Sequence, residues 1–241
     1  MKMRKLSKLV ILAPLVIPFA AHADWTHHTY AGVGGGWQQT SIKINNDLTV
    51  PSQPGSGLDT STSVRSNKGA GLGNAFVGMA FEQGAEYWAI EADAIYSNAT
   101  ADTSQAVYRA GNDVDTYQEQ MPWRYELDGI MGHYFEPNLL GYFKVGVTSG
   151  QLKTTYNTVY ANSSQIASFN TDKQLFGGVV GLGAQYAINS NWNLGVEADY
   201  IRFGNAAQTV NSTYFSYPAS YALHYKPEQY MVKATVAYRF N

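Results

Sequence analysis

Alternating apolar and polar residues in eight segments, aromatic residues at the ends of the apolar stripes, and a shortage of charge predict an all-β fold. The expected architecture is an eight-stranded antiparallel up-and-down transmembrane β-barrel, with short periplasmic turns and long extracellular loops. Only 14% of the 241 residues are charged, against the ~25% usual in soluble domains, while Tyr occurs 18 times and Gly 23 times. A wall that meets hydrocarbon tolerates few charges. The chain has no cysteine, which excludes disulfides and thiolate metal sites, and its formal charge of −2 gives no basic footprint for nucleic acid.

The first residues read as an export signal. Lys2, Arg4, Lys5 and Lys8 precede an apolar run from Leu9 to Ala21, and Ala21-His22-Ala23 is a small-x-small cleavage site. The run is shorter than the ~20 residues a membrane-spanning helix needs. Residues 1–23 are therefore expected to be a cleaved signal peptide and residues 24–241 one barrel domain, exported through the inner membrane to the outer membrane.

Each expected strand has an apolar outward face. In the last strand Tyr230, Val232, Ala234, Val236, Tyr238 and Phe240 alternate with Met231, Lys233, Thr235, Ala237 and Arg239. The same period of two recurs near 29–38 (Ala31, Val33, Trp37), 71–81 (Ala75, Val77, Met79), 87–97 (Trp88, Ile90, Tyr96) and 122–134 (Trp123, Tyr125, Leu127). It recurs again near 141–148 (Phe143, Val145, Val147), 175–186 (Phe176, Val180, Leu182) and 192–201 (Trp192, Leu194, Tyr200). Trp88, Tyr96, Trp123, Trp192, Tyr200 and Tyr230 are the expected interfacial aromatics, because Trp and Tyr prefer the membrane–water boundary.

Connections near 83–86, 136–139 and 189–191 are short; those near 40–68, 98–119, 154–172 and 204–226 are long and are expected to be loops. A hairpin hidden in the first of these, around Ile42 and Val50, would raise the count to ten strands. Rich in Ser, Thr, Asn, Gln and Tyr, the long connections suit contact with a surface ligand or host receptor, or are simply hydrophilic.

The polar face should line the barrel. It carries Glu91, Asp93, Glu126, Asp128, Glu197 and Asp199, against Arg124, Lys144, Lys233 and Arg239. An eight-stranded barrel is filled by side chains, so these charges must pair. Lys144 and Lys233 are the expected bridges, with Gly-rich strands facing bulky ones across the barrel. The alternative role of this network is a narrow ion path. Glu91-Ala92-Asp93 is echoed by Glu197-Ala198-Asp199, from a repeated hairpin or from convergence.

No motif calls for a cofactor. Gly32-x-Gly34-Gly35-Gly36 and Gly69-x-Gly71-x-Gly73 lack the strand-to-helix setting of a phosphate loop. His27 and His28 project to opposite sides, and no zinc spacing is present. His224 near Ser216 and Ser220 is the one candidate for a rim hydrolase, and His133 falls near the inner end. Asp102, Asp113, Asp115 and Glu119, with Arg109, form an acidic loop segment suited to calcium or cation-bridged lipopolysaccharide, without EF-hand spacing.

Two stretches carry a family resemblance. Tyr238-Arg239-Phe240 resembles the terminal aromatic signal read by the outer-membrane assembly machinery, with Tyr238 and Phe240 as its aromatics, although Asn241 follows. Residues 182–192, from Leu182 to Trp192, resemble the sixth-strand, turn and seventh-strand segment of OmpA/OmpX-type barrels. The resemblance implies a fold and an outer-membrane location among lipid and lipopolysaccharide, without the peptidoglycan-binding domain of two-domain members. It leaves three functions open: non-enzymatic envelope structure and surface adhesion, a small porin-like pore, or a lipid- or peptide-directed hydrolase.

Overall fold

A computed structural model describes residues 25–51, 58–98, 100–108, 112–160, 164–214 and 217–240. The expected signal peptide lies outside the described residues. The chain forms β1 (Thr26–Val50), β2 (Leu58–Gln83), β3 (Glu86–Ser97), β4 (Thr100–Tyr108), β5 (Asn112–Gln120), β6 (Trp123–Glu136), β7 (Leu139–Tyr160), β8 (Ser164–Ala187), β9 (Trp192–Phe203), β10 (Ala206–Tyr214) and β11 (Tyr217–Phe240).

Eight of these strands make a closed antiparallel ring in the order β1-β2-β3-β6-β7-β8-β9-β11, with β11 returning to β1. Three short turns join them at one end. Gly84 takes a positive φ of 61° in the first, where a side chain would strain the backbone. In the third, Asn189 Oδ1 accepts from the backbone N–H groups of Asn191 and Trp192, both at 2.9 Å, which folds the chain back locally. The first residues of β1 and the last of β11 lie at this same end, since Thr29 pairs with Phe240.

At the other end the expected loops are largely strands. β1 and β2 stay paired up to Val50–Leu58, and β7 and β8 up to Tyr160–Ser164. The hairpin around Ile42 and Val50 therefore lengthens two ring strands and adds none. A separate hairpin, β4–β5, stands above β3 and β6 and joins β7; β10 stands above β9 and joins β11. Above the ring, two four-stranded sheets result: β10-β11-β1-β2 and β4-β5-β7-β8. Among the described residues no ladder joins β2 to β4 or β8 to β10. Pro227 sits in β11 between the last β9 pairing, Glu228↔Arg202, and the first β10 pairing, Tyr225↔Ala206. Its missing N–H costs no ladder bond on that side.

Polarity inverts along each long strand without a change of face. On β1, Val33 and Trp37 point outward while Gly34, Gly36 and Gln38 point inward; farther on, Lys43, Asn45 and Asp47 are outside while Ile42, Ile44 and Leu48 are buried inside. On β11 the outward face changes from Tyr230 and Val232 to Glu228 and Lys226, and the inward face from Lys233 to Tyr225, Leu223 and Tyr221. The outer medium changes from hydrocarbon to water at that level, so the apolar side turns from outside to inside. This inversion hid the upper strands from a search for apolar outward faces.

Two apolar interiors result. One fills the upper tier, with Ile44, Leu48, Tyr156, Tyr221 and Tyr225; the other lies near the turns, with Tyr30, Phe76, Tyr87, Leu140 and Tyr142. The glycines accommodate bulk from adjacent strands, a correction to the expected pairing of opposite walls. A Cβ on Gly32 would strike Phe76, on Gly78 Tyr30, and on Gly183 Tyr142.

Candidate functional site

Between these two apolar layers lies a band of charge. Register brings the acids together: Glu91 pairs with Asp128 and Asp93 with Glu126 across β3–β6, and Lys233 pairs with Glu197 across β11–β9. Lys144 Nζ lies 2.6 Å from Glu197, 3.4 Å from Asp199, 3.6 Å from Asp128 and 3.7 Å from Glu126. Lys233 Nζ lies 2.8 Å from Glu197, 3.1 Å from Asp93 and 3.3 Å from Asp199. Arg124 Nε donates to Glu126 at 2.9 Å at the upper edge of the band, and its guanidinium also meets Gln229. Lys144 is 0% and Lys233 2% exposed, so the two ammonium groups are compensated by these carboxylates and not by water.

Neutral groups complete the band. Tyr30 donates to Glu91 at 2.9 Å, Tyr142 to Glu197 at 2.7 Å, and Asn74 to Asp93 at 3.0 Å. A charge-based reading of the sequence passes over them; their inward parity on β1, β7 and β2 was the available signal. Arg239 is not part of the band. It lies at the turn end, 2.6 Å from Glu82, beside His28, with Tyr134 donating to Glu82 at 2.8 Å. Six residues along β11 separate Arg239 from Lys233, roughly 20 Å of extended chain.

The expected aromatics pair at both rims. Tyr96 and Trp123 have ring centroids 5.0 Å apart, Tyr200 and Tyr230 4.9 Å, and, at the turn end, Trp192 and Tyr238 5.1 Å. Tyr238 also meets Phe240 at 5.0 Å, and Trp88 is half-buried on β3 near the turns.

The acidic segment of the second long connection does not assemble. Asp102 is exposed and accepts from Gln118 at 3.0 Å. Asp115 is buried inside the upper tier, accepting from Tyr156 and Thr158, each at 2.8 Å. Glu119 also points inside, across from Thr154, and neither of its buried carboxyl oxygens has a hydrogen-bond partner. Burial, with Asp102 adding to it, pushes the Glu119 carboxyl up to about 8. Arg109 lies outside the described residues.

The candidate hydrolase residues are also dispersed. His224 faces outward with its Nε2 3.9 Å from Asp47, and among the described residues no hydroxyl bonds to it. Ser216 lies outside the described residues. His133 meets Glu86 at 3.0 Å on the turn side. Among the described residues no group of three His, Asp or Glu is placed to hold a metal.

A family profile described as "Outer membrane protein beta-barrel domain" matches residues 9–240. No curated protein matches the chain. Among solved structures, the attachment invasion locus protein Ail of Yersinia pestis, in complex with the heparin analogue sucrose octasulfate, is 13% identical, with 88% of this chain and 99% of that chain covered and a TM-score of 0.36. The outer membrane protein OprG of Pseudomonas aeruginosa is 12% identical, with 89% and 96% covered and a TM-score of 0.38. The outer membrane protease OmpT of Escherichia coli is 13% identical, with 88% and 97% covered and a TM-score of 0.36.

Two predictions follow from the buried charges. Lys233→Met leaves Asp93, Glu197 and Asp199 undercompensated and should cost about 3–5 kcal/mol, read as a lowered Tm in detergent; an unchanged Tm refutes the bridging role. Glu119, held protonated near neutrality when folded, titrates near its ordinary value of about 4.3 when unfolded. Folding therefore takes up a proton between those values, and stability falls as pH rises from about 4.3 to about 8. Glu119→Gln should flatten that decline in melting curves from pH 5 to 9; parallel curves for the two proteins refute it.

Proposed function

The chain belongs to the outer membrane protein β-barrel domain family, and from that premise we propose a non-catalytic, non-conducting envelope protein whose extracellular tier makes contacts at the cell surface. The observation that carries this reading is the stack of layers across the barrel axis. The band around Lys144 and Lys233 is bounded by packed aromatics near the turns and by the apolar upper core. An ion would have to leave water for an interior of buried side chains, which an eight-stranded barrel has little room to avoid.

The upper tier is built to hold its shape. Its interior packs Tyr117 against Tyr156 at 5.1 Å, and Tyr156 against Tyr221 at 5.5 Å, between the two sheets. Its outer wall is polar. Gln118, Gln120, Lys153, Thr155, Asn170 and Asp172 line a cleft there of about 200 Å³. Amide, hydroxyl and charged groups on a stiff support lose little entropy on binding, which favours recognition of a polar ligand. His224, with Asp47 beside it but no hydroxyl bonded to it among the described residues, and His133 at the far end of the barrel support the non-catalytic part of the reading.

In planar bilayers the purified protein should show no stable conductance steps. Regular steps that change with Lys144→Met would replace this reading with the small pore. Cells displaying the protein should adhere to host cells or matrix better than cells lacking it, and equal adhesion on a panel of such surfaces overturns the contact role.

A further inference from the structure

The outer wall of β2, β1 and β11 carries an unusual row of charge. Lys43 pairs with Arg65 on one side and with Lys226 on the other. All three are exposed on the same face, and among the described residues none has an ion-pair partner. Directly opposite side chains on neighbouring strands sit ~5 Å apart at Cβ, so three positive charges fall within roughly 10 Å, an arrangement that is unfavourable by itself. Elsewhere on the same wall the ladder sets bases against acids, as in Lys153↔Asp172 and Arg202↔Glu228. Glu228 is two residues from Lys226, but it lies across from Arg202.

The row stands above the aromatic rim at the extracellular end. Lys43 is six residues beyond Trp37, and Lys226 four residues beyond Tyr230, on outward faces. With strands tilted about 40°, those separations put the bases roughly 10–15 Å above the rings. This is headgroup territory, not hydrocarbon.

Farther down the same wall, below the Trp37 indole that lies over Gly69, the surface is open. Gly35 pairs with Gly73 and Trp37 with Gly71, and all three glycines face outward. A Cβ on Gly71 or Gly73 would meet nothing closer than 3.9 Å, and on Gly35 nothing closer than 3.5 Å, so the wall there is open. Trp37, Tyr96 and Val232, each exposed, flank the strip. A shallow apolar trough below Trp37 and a cluster of unpaired bases above it match an amphiphile, with acyl chain below and phosphate above. A soluble polyanion has no use for the trough.

We infer that Arg65, Lys43 and Lys226, with the Gly35–Gly71–Gly73 trough beneath them, form a binding site for a phosphorylated glycolipid of the outer leaflet, lipopolysaccharide. The bases bind its phosphates and the trough seats an acyl chain. The inference rests on the outer-membrane location and is independent of the surface-contact role.

The test uses the full mature chain in detergent, with purified rough-type lipopolysaccharide as probe. The wild-type protein should bind it, and the triple variant K43Q/R65Q/K226Q should bind at least tenfold more weakly. Gly73→Leu, whose Cβ would meet nothing closer than 3.9 Å, puts a side chain into the trough and should weaken binding as well. Heat-modifiable gel mobility checks that both variants remain folded. Dephosphorylated lipopolysaccharide should bind the wild type no better than intact lipopolysaccharide binds the triple variant. Raised salt should weaken the wild-type complex, because the paired charges are screened. The inference is overturned if K153Q/R202Q, which removes the two bases set against acids elsewhere on the wall, weakens binding as much as the triple variant does. It is also overturned if dephosphorylation has no effect, or if soluble heparin binds the row as tightly as lipopolysaccharide and Gly73→Leu leaves lipopolysaccharide binding unchanged.

Discussion

A backbone that crosses hydrocarbon must find every hydrogen-bond partner within the protein, and the architecture depends on this requirement. The ring answers it by closing: β7 pairs with β8 and β11 with β1, so no edge faces lipid. Once the sheet is closed, each strand has a face that meets lipid and a face that meets the narrow interior. Glycines on the inner face then decide how tightly neighbouring strands can carry bulky residues. Phe76 lies over Gly32 and Tyr142 over Gly183 because a side chain at either glycine would collide.

The requirement lapses above the aromatic rim, and the sheet changes character there. Water can satisfy an exposed strand edge, so the ring can break into two facing sheets, with no ladder joining β2 to β4 or β8 to β10 among the described residues. The breaks are marked locally. Ser97 N–H donates to Pro122 C=O at 2.9 Å where β3 and β6 end, and Gly204 N–H to Phe176 C=O at 2.8 Å where β9 ends. The apolar residues move to the inside at the same level, and what holds the tier together is the packing of a water-soluble β-sandwich.

The interior band shows a different balance. Charges there come at a desolvation cost, and replacing them with apolar side chains would often stabilise a fold as well. What they supply is direction. Lys144 and Lys233 reach acids on β3, β6 and β9, so the band ties together strands that the hydrogen-bond ladder does not join directly. It also lies between two apolar layers, which keeps water from competing for the carboxylates.

The fold was legible in the sequence wherever one physical rule applied along a whole segment. Period-two alternation with aromatic ends, short turns at 83–86, 136–139 and 189–191, and the inward parity of Glu91, Asp93, Glu197 and Asp199 all follow from a strand between lipid and a polar interior. Ile42, Ile44, Leu48 and Val50 also alternate, but their face is inside. The sequence does not say on which side of a strand water lies; only the position of the strand in the closed ring does. The same limit applies to the sites. Arg239 shares a face with Lys233, yet its distance along the strand places it with Glu82 at the mouth. Lys43, Arg65 and Lys226 are far apart in the chain and become neighbours only through the register of three strands. Periodicity assigns a residue to a face; pairing across the ladder, which the tertiary structure alone decides, assigns its height and its company.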